Sequence, residues 1–75
     1  MARIRTHPGE ILREEFMKPL GLSARALAHA LDVPGNRISD IMRERRDVSA
    51  DTALRLARHF GMDARFWLNL QIAHD

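Results

Sequence analysis

Seventy-five residues hold one small domain with one core, which excludes a layered enzyme with a separate cofactor domain. There is no cysteine, so disulfide staples, thiolate zinc sites and a Cys nucleophile are excluded as well. Twelve cations face ten anions, a net charge of +2, and 45% of the residues are apolar, which suits a globular core rather than disorder.

No apolar run is long enough to span a membrane, and residues 1–7 lack the apolar stretch of a secretory signal. A cytoplasmic protein is expected. Lys18 is the only lysine; every other cation is arginine. Arginine forks onto phosphates and guanine edges, so a nucleic-acid partner is permitted. A GC-rich genome would give the same bias.

Helix signals run through the chain and strand alternation is missing. The first helix opens at Pro8, carries Glu10 and Glu14 near its positive end, and stops at Pro19-Leu20-Gly21. Its apolar stripe is Ile11, Leu12, Phe16 and Leu20. Ser23 caps a second helix through Leu31, with Leu27, Ala28 and Leu31 on one face. A break at Asp32-Val33 precedes a third helix over about 34–44, with Pro34 in its first turn and Ile38, Ile41 and Met42 as its apolar side. Ser49 caps a fourth helix whose core face is read as Ala53, Leu54, Ala57 and Phe60, ended by Gly61. Asp63 caps a fifth helix from about 63 to 73. Five short helices with short connections predict an all-α domain.

The stretch 23–43 carries the functional signal. Two short helices joined by so few residues must cross steeply, as in a helix-turn-helix. The crossing needs a small residue at the contact, which Ala28 supplies. Four positions on it needs a residue that tolerates a left-handed backbone, and Asp32 meets that in weaker form than glycine. Val33, Ile38 and Ile41 are the apolar anchors that follow.

With Ile38, Ile41 and Met42 buried, the third helix turns Gly35, Asn36, Arg37, Ser39, Asp40 and Arg43 outward. Short polar groups followed by an arginine suit entry into a major groove N-terminus first. Asn36 can pair with adenine, Arg43 with guanine, and Asp40 can accept from cytosine. A purely solvated face would more often carry long Glu and Lys than Gly35-Asn36.

Five ordered blocks then resemble one family: His7-Pro8-Gly9-Glu10-Ile11-Leu12; Pro19-Leu20-Gly21-Leu22-Ser23; Val33-Pro34 with Asn36-Arg37-Ile38-Ser39; Ala50-Asp51-Thr52-Ala53-Leu54-Arg55-Leu56; and Phe66-Trp67-Leu68-Asn69-Leu70-Gln71. The chain resembles the HigA-type (VapI-like) antitoxins among the Xre/Cro-like helix-turn-helix proteins. The resemblance implies a single lambda-repressor-like five-helix domain over 1–75, a homodimer, and double-stranded operator DNA as partner. It further implies repression of its own toxin–antitoxin operon and neutralisation of a HigB-type toxin, a ribosome-dependent mRNA endonuclease. Base reading then falls on Gly35, Asn36, Ser39, Asp40 and Arg43. Phosphate contacts fall on Arg37, Arg46 and, more weakly, Arg25. Asp32 and Glu44 stand where members of the family often have glycine. Many members continue past the position of Asp75, which bears on any toxin-binding or dimer-stabilising tail.

The fifth helix is apolar on more than one side, with Phe66, Trp67, Leu68, Leu70 and Ile72. One side can close the core; the other suits a two-fold dimer interface, assigned to Phe66, Trp67, Leu70 and Ile72. Trp67 fits a core plug equally well. Arg3 and Arg5 suit either a basic arm or a frayed terminus.

Catalysis finds no machinery. His7, His29, His59 and His74 lack metal-ligand spacing, Ser23 and Ser49 serve as caps, and Glu14-Glu15 diverge on a helix. No metal, cofactor or membrane partner is expected. Two other readings stand beside the antitoxin: an Xre-type regulator with no toxin, and an interaction module that has lost DNA binding.

Overall fold

His7 starts the first helix: its Nδ1 accepts the Gly9 N–H at 2.8 Å, and Pro8 occupies the first turn. This computed structural model describes residues 6–75. Helix α1 is one rod over 8–20. It is α-helical over Pro8–Ile11, widens into a π-helix over Leu12–Met17 and closes as α-helix over Lys18–Leu20. Then follow α2 (Ala24–Leu31), α3 (Gly35–Met42), α4 (Ala50–Phe60) and α5 (Ala64–His74), with no strand among the described residues.

The π-helical stretch is the main departure from the expected first helix. Hydrogen bonds there reach five residues back, as from the Lys18 N–H to Arg13 O, so residues five apart come onto one face. Leu12 and Met17 are both buried as a result. The wider turn rotates the rest of the stripe, so Leu20, expected in the core, is 63% exposed. Leu22, just past the Gly21 cap, packs against the core instead.

Side-chain caps fix the starts of α2, α4 and α5 as the sequence predicts. Ser23 accepts from the Ala26 N–H, Ser49 from the Thr52 N–H and Asp63 from the Arg65 N–H. Helix α3 begins one residue later than expected, because Pro34 keeps an extended ψ of 143° and stands outside the first turn. It ends at Met42, two residues short of the expected limit, since Glu44 takes a left-handed backbone at φ 62°. On α4 the buried face is Thr52, Ala53, Leu56 and Ala57. Leu54, expected there, is 56% exposed. A step of about 100° per residue carries position 54 away from the line through 53, 56, 57 and 60.

The core gathers Leu12, Met17, Leu27, Ala28, Leu31, Ile38, Ile41, Val48, Ala53, Leu56 and Trp67. Each large aliphatic side chain fully buried there contributes about 1.5–3 kcal/mol by leaving water. Trp67 is 0% exposed within the single chain. Its ring lies 5.0 Å from that of Phe16, which also stands 5.0 Å from Phe60. Trp67 is therefore a core plug, one of the two roles its position allows, and offers no exposed surface for a dimer anchor in the single chain. One turn further along α5, Gln71 Oε1 accepts the buried Val48 N–H at 2.8 Å. That bond satisfies a backbone donor in the loop between α3 and α4 and fixes the loop to α5.

Candidate nucleic-acid interface

Helices α2 and α3 meet as the spacing predicts. Ala28 is buried at the contact, and its carbonyl accepts the Val33 N–H at 3.0 Å. Asp32 makes the turn with φ 59° and ψ 47°. Ile38 and Ile41 are wholly buried, and Val33 packs half-buried against the core. The outer side of α3 is thereby fixed relative to the domain.

The expected base-reading residues share that outer side. Gly35 and Asn36 are exposed at its N-terminal end, Ser39 and Asp40 are half-buried along it, and Arg43 is exposed at its C-terminal cap. Ser39 Oγ donates to Asn36 O at 3.2 Å, which leaves the hydroxyl oxygen free to accept. Arg25 of α2 is exposed and lines a shallow groove together with Ala28, His29, Val33 and Gly35, the residue that opens α3. Arg46 is exposed in the loop after α3, with Arg45 next to it. Arg37, the other expected phosphate residue, is placed differently from these two. It is half-buried and its Nη1 points to Asp51 at 3.9 Å. Arg3 and Arg5 lie outside the described residues.

Two supports of the motif had only weak sequence signals. Arg13 of α1 donates to the Met42 carbonyl at the end of α3 and stands 4.0 Å from Glu44. Arg55 of α4 donates to Leu31 O at 2.8 Å at the end of α2. Each arginine thus meets unpaired carbonyls and the negative end of a helix dipole. A count of cations on helix faces does not reveal such pairing, because the partner is a backbone group remote in sequence.

On α1, Glu14 is engaged by Arg13 at 2.9 Å and by Lys18 at 2.9 Å. Those hydrogen bonds, first from Arg13 and then from Lys18, hold its carboxyl below the ordinary range. Glu10 and Glu15 remain exposed beside it. On α5, Phe66 is 40% and Ile72 71% exposed, while Leu70 is half-buried against the core.

A model of the helix-turn-helix family matches residues 14–67. The Pseudomonas aeruginosa antitoxin HigA, solved with the higBA promoter, superposes with a TM-score of 0.93 at 49% identity, over 95% of this chain and 77% of that one. The chain belongs to the HigA-type helix-turn-helix family. Antitoxin GraA in complex with its operator is 56% identical, with a TM-score of 0.89 over 100% of this chain and 74% of that one. Virulence-associated protein I of Dichelobacter nodosus is 65% identical over 69 residues, 92% of this chain. The chain spans 64% of the length of that curated relative. Among the described residues, no helix is long and apolar enough to cross a membrane.

Proposed function

We propose that this protein is an antitoxin that also represses its own operon by binding operator DNA through α3. The observation that carries the reading is the outward row Gly35, Asn36, Ser39, Asp40 and Arg43, held on a helix anchored by two wholly buried isoleucines. Short polar groups and an arginine on a rigid helix suit direct reading of major-groove edges. Arg25 and Arg46 flank the row and take phosphates. The likeness to HigA and GraA, each solved with DNA, supports the same use of the motif here.

The active species on DNA is a homodimer reading an inverted repeat. One recognition helix covers too few base pairs for a selective site, and two copies reach half-sites about one helical turn apart. Phe66 and Ile72, apolar and exposed on α5, are the surface for that contact.

The partner protein is a HigB-type toxin, an mRNA endonuclease, held on a face that leaves Asn36, Ser39 and Arg43 free. Glu10 and Glu15, exposed on α1, suit a basic RNase. Co-expression with the product of the adjacent gene, followed by pull-down and gel-shift on the upstream DNA, tests both functions. Recovery of a toxin complex together with a shifted operator band is expected. A toxic neighbour unrelieved by this protein leaves an Xre-type regulator without a toxin.

A further inference from the structure

Arg37 belongs to the helix that carries the reading row, yet it leaves that row. At about 100° per residue, position 37 lies about 100° from Asn36 and about 120° from Arg43 around α3. Its side chain is 28% exposed, and its Nε is buried without a partner among the described residues. Its Nη1 stands 3.9 Å from Asp51 Oδ2, in the first turn of α4. The same carboxylate oxygen accepts from Arg55 Nε at 3.0 Å. Arg55 then extends Nη1 to Leu31 O at 2.8 Å and to Asp32 O at 3.4 Å. Leu31 ends α2, and Asp32 is the turn itself. One carboxylate oxygen therefore connects to α3 through Arg37 and to α2 through Arg55.

We infer that Asp51, acting through Arg37 and Arg55, sets the attitude of α3 to the DNA, which makes Arg37 and Asp51 positioning residues rather than phosphate contacts. The inference rests on the proposed operator binding. Half-exposed ion pairs contribute little to global stability, and Asp51 is 60% exposed. Base reading is more demanding, because side chains must be held within about 0.5 Å of productive geometry. The network therefore acts on discrimination between sequences more than on melting. The sign of the effect is diagnostic. Asp51 is an anion, and removing an anion from a DNA-binding protein should by charge alone tighten binding. A positioning role demands the reverse.

The test is fluorescence anisotropy with a labelled duplex from the DNA upstream of the protein's own gene, beside a scrambled duplex of equal length, over a salt series. Asp51→Ala is expected to weaken operator binding about tenfold, leave the scrambled duplex as tight or tighter, and keep the salt slope. Asp51→Glu preserves the carboxylate bridge and should stay within about twofold of the wild type. Arg37→Ala should weaken operator binding with the salt slope unchanged, and the double variant should be no weaker than the weaker single. Circular dichroism at the assay temperature confirms folding, and Asp51→Asn, the isosteric neutral form, replaces Asp51→Ala if the latter melts. An Asp51 variant that binds operator as tightly as the wild type overturns the inference. So does an Arg37→Ala slope smaller by about one, the signature of a lost phosphate contact. Wild-type protein that fails to shift the upstream duplex overturns the DNA-binding reading itself.

Discussion

Gly9 stands against the carbonyl of Ile41 so closely that a Cβ at position 9 would lie 1.8 Å from Ile41 O. The first helix thus rests backbone to backbone on the buried side of α3, behind its outward polar row. Gly9 is there for close approach, since its φ lies outside the left-handed region. Gly9→Ala is expected to force α1 and α3 apart and cost about 1–3 kcal/mol. In a domain of this size that lowers Tm by roughly 5–20 °C. Thermal melting by circular dichroism reads it; an unchanged or higher Tm contradicts the close contact.

Asp32 and Glu44 bracket α3 with left-handed backbones, at φ 59° and 62°. A non-glycine residue held there carries about 1–2 kcal/mol of local strain, less for Asp, whose short polar side chain bonds locally. Glu44→Gly is therefore expected to stabilise by about 0.5–1 kcal/mol, although it removes the 4.0 Å ion pair with Arg13. Asp32→Gly should gain less. Urea unfolding of the two variants checks the order, and a larger gain at position 32 would reverse the argument.

His7 predicts a pH dependence. Burial first, and the neighbouring His74 second, hold its imidazole below the ordinary value of 6.5, against the pull of Glu44, Asp47 and Asp75. The geometry agrees with the direction, because Nδ1 must be unprotonated to accept the Gly9 N–H. Above 6.5 both the folded and unfolded forms are neutral there, and the contribution is complete. As pH falls below 6.5 the unfolded chain binds the proton first, so stability declines until the lower folded value is passed. His7→Asn keeps a helix cap and should flatten this acid limb in melts between about pH 7 and pH 5. An equally steep limb in the variant would assign the effect elsewhere.

Arg43 and Arg46 should separate base reading from phosphate binding. Arg43 lies at the end of the reading row, so Arg43→Ala is expected to cost about 1–3 kcal/mol on the operator and relax preference at one base pair. Arg46 stands in the exposed loop, so Arg46→Ala should weaken all sequences alike and reduce the salt slope by about one. Binding to a panel of single-base operator variants at several salt concentrations discriminates the two. Equal losses on every sequence for both variants would remove the assignment.

Trp67 and its neighbours on α5 should respond differently to truncation. Trp67→Ala empties the centre of the core and is expected to cost about 3–5 kcal/mol, so the helical signal itself melts early. Phe66→Ser combined with Ile72→Ser alters exposed positions and should keep the fold while shifting a dimer toward monomer. Sedimentation equilibrium reads the second outcome. A double variant that remains as dimeric as the wild type would move the dimer contact off these residues.

The caps and the turn were open to a local reading. Ser23, Ser49 and Asp63 start helices because each offers an oxygen to a backbone donor two or three residues on, and Gly21 and Gly61 end them with a left-handed backbone that glycine adopts without strain. Ala28, Asp32, Val33, Ile38 and Ile41 mark a helix-turn-helix because their spacing follows from a steep crossing. Those features need only neighbours in sequence, and the outward row on α3 follows from them by periodicity. What periodicity alone did not supply depends on contacts between distant segments. The π-helical stretch in α1 buries Met17 and exposes Leu20, an outcome no 3.6-residue pattern contains. Trp67 is drawn inward by Phe16 on another helix, and Arg37 toward Asp51, fourteen residues away. Local pattern was enough to place the helices and to name the residues that α3 turns outward. Tertiary packing settled which arginines stay exposed, as Arg25, Arg43 and Arg46 do, and which turn to partners within the fold, as Arg13, Arg37 and Arg55 do, because a side chain's partner is chosen by the helices packed around it.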